Sequence, residues 1–161
     1  MTDTIDIRFG GAAEAHAFIA ALKELITPLT LYNDWSKSHE DKIYTPDYVA
    51  KLLEDDPHSI LIAWAGSTIA GLIVTRPDNG PLWLDWFGVL PAYRGHGIAD
   101  QLFERAIVEA RQRGILKIWC DTRDTNTYAI SIMEKHGFTR AGHLKRHWFG
   151  LDFLIWEKFL D

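Results

Sequence analysis

The chain has 161 residues, 47% hydrophobic and 24% charged, with a formal net charge of -5. That length predicts one domain over residues 1–161, able to bury roughly two thirds of its unfolded surface without disulfide or metal staples. The acidic balance offers no footprint for nucleic acid, no run of 18 apolar residues offers a membrane span, and MTDTIDIRFG lacks a leader pattern, so a cytoplasmic protein without nucleic-acid or membrane partners is expected.

Ile5 to Arg8 alternates as a short strand, and the Ala-rich run from Ala12 to Ile26 predicts a helix that Pro28 stops. Leu29 to Thr45 is polar and aromatic without a clear period. Its Tyr32, Trp35 and Tyr44 make it either a short helix with connections or a loop covering a site, with Trp35 a candidate substrate contact. Pro46 opens another helix, capped by Thr45 and closed by Pro57. Ser59 to Ala65, Thr68 to Arg76 and Leu82 to Val89 are β-rich runs separated by turn compositions, which predicts an antiparallel meander.

From Ile98, the residues Ala99, Leu102, Phe103, Ala106, Ile107 and Ala110 share one helical face, and Gly114 ends the helix. A strand over Leu116 to Asp121 follows, so strand, helix and strand predict a right-handed parallel crossover. Thr122 to Asn126 opens a helix reaching His136 and ended by Gly137. Two last strands fall in Phe138 to His147 and Phe153 to Phe159, around a turn near Gly150. The fold class is α/β of α+β type: a mixed, mostly antiparallel sheet of about seven strands, about four helices on its faces, and one parallel βαβ crossover. Cys120 is the only cysteine, which excludes an internal disulfide, and within ILKIWC it reads as a core residue.

The segment VLPAYRGHGIADQLFERAIVEA joins strand to helix through Gly95 and Gly97. A helix start offers unpaired N–H groups and the positive end of a dipole, and glycines let a bulky anion approach the main chain, so RGHGIA suits phosphate. Gly-x-Gly also arises in plain turns. A nucleotide P-loop needs Gly-Lys-Ser/Thr, which is absent here. A dinucleotide fingerprint needs a small residue where Asp100 stands, although Asp121 falls near the place of a ribose-binding acid.

The pattern of Val89, Pro91, Tyr93, Arg94, Gly95, Gly97, Ile98 and Ala99 resembles the pyrophosphate loop of the GNAT superfamily of N-acetyltransferases. Asn126, Ala129, Lys135, Gly137 and Phe138 in NTYAISIMEKHGF resemble its second signature. The resemblance is specific from about Leu82 to Phe138 and topological outside it. It implies acetyl-coenzyme A as cofactor and acetyl transfer to an amine. Carried onto this chain, it implies that Arg94, Gly95, His96, Gly97, Ile98 and Ala99 wrap the pyrophosphate, mainly through backbone N–H groups. Phe87, Gly88 and Val89 would pair with the pantetheine arm as a strand would, one of their amides steadying an oxyanion, and Asn126 would reach the arm. The plain alternatives are a helix cap for Asn126, a solvated charge for Arg94 and an exposed side chain for His96.

Attack on a thioester needs an amine with a free lone pair. Asp85 is the only ionisable residue in PLWLDWFGVL, and a lone carboxylate between tryptophans takes a raised pKa when desolvated. Polyamine-type members of the family carry a glutamate there, so Asp85 is expected as the general base; the alternative is an aspartate facing solvent or paired with a structural arginine. Alternation predicts Trp83, Asp85 and Phe87 on one face and Trp86 on the other, with Trp83 and Asp85 contacting substrate. Many relatives place a tyrosine two residues before the lysine of K-x-G-F as proton donor to the departing thiolate. Here Met133 stands there, and five residues of helix turn Tyr128 about 140° away, which leaves the donor unassigned. His143 and His147 lie about 13 Å apart on an extended chain without a nearby carboxylate pattern, so no metal is expected.

Three readings follow. The first is an acetyl-coenzyme A dependent N-acetyltransferase acting on a primary amine of a small molecule or peptide, with cationic amines favoured by the protein's charge. The second is an acyl-coenzyme A sensor on the same fold, motivated by Met133. The third is a dinucleotide-dependent oxidoreductase, which Asp100 opposes. The aromatic tail HWFGLDFLIWEKFL reads as packed strand with an edge open to a homodimer.

Overall fold

Seven strands and five α-helices make up the computed structural model, which describes residues 4–161. The order is β1 (Ile5–Phe9), α1 (Ala15–Ile26), α2 (Asp34–Ile43), α3 (Pro46–Asp55), β2 (Ile60–Ala65), β3 (Thr68–Pro77), β4 (Leu82–Val89), α4 (Ile98–Gln112), β5 (Lys117–Arg123), α5 (Thr127–Lys135), β6 (Thr139–Leu144) and β7 (Phe153–Phe159). They form one sheet in the order β1-β2-β3-β4-β5-β7-β6, antiparallel except where β4 meets β5. The meander and the single β4-α4-β5 crossover are as predicted. A sheet with one parallel pair is not the doubly wound sheet that the dinucleotide reading needs.

Cores lie on both faces. The apolar stripe of α4, with Ile132 and Met133 of α5, packs on Leu61, Ile73, Leu84 and Trp156. Phe18 and Leu22 of α1, with Val49 and Leu52 of α3, cover Ile60, Ile62 and Leu72 on the opposite face. Cys120 is a core residue, 1% exposed.

Helix α2 is the fifth helix, where about four were expected. Asn33 caps it by accepting from Ser36 N at 3.0 Å, and Ser36 is its only buried residue, so no apolar stripe announces it. The strand expected over Phe138 to His147 ends at Leu144, because Arg146 enters the left-handed region at φ 48° and turns the chain.

A bulge overturns the predicted faces of β4. Val74 of β3 stands opposite Trp86, yet Thr75 stands opposite Leu84, so Asp85 is the extra residue. One added residue inverts the alternation beyond it. Phe87 therefore packs edge-on against Phe103 of α4 at 5.0 Å, while Trp86 joins Trp83 and Asp85 on the other side. Beside the bulge β4 and β5 part: pairing covers only Leu82–Leu84 with Ile118–Cys120.

Candidate functional site

The gap between the parted strands is a cavity of about 380 Å³, walled by Asp85 to Val89 on one side and Cys120 to Thr122 on the other. Leu90 N donates to Ala70 O of β3, so alternation turns the N–H and C=O of Gly88 towards β3 and those of Phe87 and Val89 into the gap. The Val89 carbonyl accepts from Arg94 Nε at 3.0 Å, while the N–H groups of Phe87 and Val89 are left facing the cavity. Gly88 permits close packing behind this wall, since a Cβ there would stand 3.0 Å from the Leu25 side chain of α1.

Arg94 brings the gap to the mouth of α4. Gly95 and Gly97 hold φ of 80° and 71°, a region that costs an L-residue about 1–2 kcal/mol. Among the described residues, none of the backbone N–H groups from Gly95 to Asp100 meets a protein acceptor. Six free amides, the positive end of a 15-residue helix and an arginine with its terminal nitrogens unpaired make an anion seat. Asp100 in the first turn would oppose that charge, but Lys135 at the end of α5 and His136 just after it bind its two oxygens at 2.6 and 3.0 Å. The side chain of His96 is exposed, with Nδ1 3.3 Å from Tyr93 O. Asn126 is a helix cap, its Oδ1 accepting from Ala129 N at 3.1 Å, and it also lines the gap. An extended, amide-bearing ligand with a diphosphate end fits this run of unpaired groups.

A second cavity of about 300 Å³ opens on the α2 side of β4. Its walls are aromatic (Tyr32, Tyr44, Trp83, Trp86, Trp148, Phe149, Phe153), with Glu40, Asp85 and Asp121 set among them. Asp85 Oδ2 accepts from both Arg76 and Tyr44 at 2.7 Å, and Arg76 lies over the Trp83 ring at 4.4 Å. Burial raises the Asp85 pKa against the pull of Arg76 and Tyr44. Asp121 accepts from Trp83 Nε1 at 3.0 Å; burial, with Asp85 nearby, pushes its pKa up to about 6. Glu40 accepts from Trp86 Nε1 at 3.0 Å and is pushed to about 7, again by burial first and then by Asp85. Three carboxylates against the paired Arg76 and Lys37, whose Nζ donates to the Thr27 carbonyl, suit a cationic guest, and the aromatic faces add cation–π attraction.

Tyr32, Asp85, Trp86 and Asp121 line both cavities and mark where they meet. Of the residues expected to touch substrate, Trp83 and Asp85 are in the second cavity. Trp35 is not: it is 67% exposed and packs edge-on against Phe149 at 5.1 Å. Glu40, Arg76 and Asp121 join the site only through the fold, since no sequence motif marks them for acetyl transfer. Asp121 had surfaced only as a ribose-binding acid, and its distance from Asp85 in sequence hid the meeting.

His143 was paired with His147 without a carboxylate pattern. The structure instead brings His143 to Asp124 and Asp152, with ligand-type atoms within 4.8 Å of one another. Arg123 already pairs with Asp124 at 3.1 Å, and Arg146 N donates to Asp152 at 2.7 Å. No described helix is long and apolar enough to cross a membrane.

Comparison with known proteins agrees with this geometry. Residues 20–138 match the model of the acetyltransferase (GNAT) family. An acetyltransferase of Agrobacterium fabrum is 32% identical over 124 residues, covering 77% of this chain and 80% of that protein. Mycothiol acetyltransferase of Catenulispora acidiphila is 29% identical over 92 residues, covering 53% of this chain but only 29% of that protein. An N-acetyltransferase from Thermoplasma acidophilum, solved with coenzyme A, superposes with a TM-score of 0.80 at 22% identity, covering 97% of this chain and 99% of the other. Loop, parted strands and sequence match converge, and the chain belongs to the GNAT acetyltransferase family.

Proposed function

We propose that this protein moves an acetyl group from acetyl-coenzyme A to a primary amine of a small cationic molecule or an exposed peptide terminus. One observation carries the reading: a gap lined by unpaired backbone groups meets an acidic, aromatic cavity at Tyr32, Asp85, Trp86 and Asp121. The cofactor supplies the acetyl thioester. The amides from Gly95 to Ala99 and the Arg94 guanidinium hold its diphosphate, and Phe87 and Val89 pair with the amides of its arm. Asn126 supports the arm from the start of α5. Trp83 and Asp85 receive the amine, Asp85 being held in place by Arg76 and Tyr44.

Proton acceptance moves from Asp85 to Asp121 in this reading. Asp85 already takes two strong hydrogen bonds on one oxygen, whereas Asp121 takes one from Trp83 and has a pKa of about 6, close to where a general base works best. Residues 1–161 act as one catalytic unit in the cytoplasm, and the exposed edge strand β6 offers a pairing face for a homodimer. Light scattering tests the dimer.

A screen of amines for release of free thiol from acetyl-coenzyme A, with purified protein, tests the activity. Turnover with diamines, amino sugars or peptide N-termini is the expected result. Tight coenzyme A binding without thiol release from any amine overturns it in favour of an acyl-coenzyme A sensor, the reading that the fully buried Met133 favours.

A further inference from the structure

We propose that Tyr32 donates the proton that the departing sulfur takes up, an inference that rests on the acetyl-transfer reading above. When the C–S bond breaks, the electron pair left on sulfur faces Asp85 and Asp121, and an acidic surrounding disfavours a bare thiolate. A donor at the junction relieves this. Among the four residues shared by the two cavities, the two aspartates are acceptors when ionised, and the Trp86 N–H is committed to Glu40. That leaves the Tyr32 phenol, which lines both cavities and stands near Asp121, Cys120, Arg123 and Glu40.

The phenol is also held in place. Arg123 Nε donates to the carbonyl of the preceding residue, Leu31, at 2.8 Å, which ties this connection to β5. The Tyr32 ring packs between Trp86 at 5.5 Å and Phe153 at 6.5 Å. Burial first, then the charge of Asp121, raises its pKa, so it is neutral and carries its proton at any working pH. The other four phenols are placed elsewhere: Tyr44 donates to Asp85, Tyr48 lies under Arg76 with a buried, unpartnered hydroxyl and lines neither cavity, Tyr93 packs against the core, and Tyr128 is 54% exposed near Arg94, at the diphosphate end. Met133 is fully buried in the core between α4, α5 and the sheet, and offers no proton.

The transfer balances. An ammonium first loses one proton to solvent to free its lone pair; the N–C bond then forms as the C–S bond breaks, the surplus proton of the attacking amine passes to Asp121, and the sulfur pair takes the Tyr32 proton. Protonated Asp121 returns a proton to the phenol oxygen in the same event, directly or through one water, so that no buried tyrosinate stands against the acids. One hydrogen has moved from nitrogen to sulfur, and both side chains are restored.

Tyr32→Phe tests this while keeping the ring contacts. The first measurement is titration of the thiol of bound coenzyme A by thiolate absorbance, which needs no turnover. A donor to sulfur stabilises the thiolate, so the bound thiol should titrate about one to two pH units higher in the variant than in the wild type. The second is steady-state thiol release: kcat should fall about 10²-fold with the KM for the amine unchanged, and further with the oxygen-ester analogue of acetyl-coenzyme A, whose leaving group is more basic. Equal thiol titration in both proteins, or a loss confined to the KM for the amine, overturns the proposal and leaves Tyr32 as a wall. A wild type that titrates bound coenzyme A differently from Tyr32→Phe yet acetylates no amine keeps the contact and overturns the acetyl-transfer reading instead.

Discussion

Replacing Asp121 by asparagine should make the protein slower and more stable at once. Its carboxyl has a pKa of about 6 in the fold against 3.8 for an ordinary aspartate. A raised folded-state value means that the stability is complete below pH 4 and declines as pH rises through 6, because the unfolded chain ionises first. Two pH units correspond to about 3 kcal/mol, and water in the adjoining cavity reduces this to about 2. Asparagine keeps an oxygen for the Trp83 N–H but cannot ionise. Above pH 7 the variant should therefore melt about 4–8 °C higher than the wild type, and the gain should vanish below pH 4. Thiol release from acetyl-coenzyme A, followed against pH with a good amine, gives the functional half. In the wild type kcat/KM should climb with a group titrating near 6, and in the variant that group should disappear while kcat/KM at pH 8 falls roughly 10²- to 10⁴-fold. Wild-type rates with the same acidic limb would falsify the assignment of Asp121 as base, and an unchanged melting temperature above pH 7 would show that its ionisation is not strained by burial.

Three further perturbations separate the parts of the site. Asp85→Asn leaves the Arg76 guanidinium without its anion, so it should destabilise by about 2 kcal/mol, opposite in sign to Asp121→Asn; equal or greater stability by chemical denaturation refutes a positioning role for the pair. Trp83→Phe removes a hydrogen bond that favours ionised Asp121, and the acidic limb should move up by about one pH unit; a limb that stays in place dissociates Trp83 from the base. Coenzyme A should raise the melting temperature of the wild type and of Gly97→Asn, which tolerates the left-handed backbone, but not of Gly97→Glu, whose carboxylate enters the anion seat; a rise in Gly97→Glu equal to the wild type's removes this loop as the diphosphate site.

The legible parts of the fold are those where a local rule and the tertiary environment agree. The strands of the meander are buried runs closed by turn residues, and the apolar residues of α4 fall on one face that packs on the sheet. Helix α2 breaks that agreement. Its inward residues Ser36, Glu40 and Ile43 line a cavity instead of filling a core, so polar groups take places that would otherwise spell a stripe. The anion seat was legible for the opposite reason: at Gly95 and Gly97 the backbone itself sets the requirement, and positive φ restricts the residue type whatever surrounds it.

The acceptor side was hidden by a single residue. WLDWF has strand composition throughout, and nothing in it announces that Asp85 is a bulge, yet that insertion sits where three features begin. Trp86 turns from the α4 face into the aromatic cavity, β4 and β5 cease to pair after Leu84 and Cys120, and the freed groups of Phe87 and Val89 face the gap. The bulge residue is also the carboxylate tied to Arg76 of β3 and Tyr44 at the end of α2. Its two partners therefore hold a backbone irregularity as well as a charge. Asp121 becomes a cavity residue only because the strands part beside it, so the proposed base depends on Asp85 for its position before it depends on any property of its own. In the proposed arrangement the acid closest to the family pattern builds the site, and the acid across the gap is the one assigned the proton.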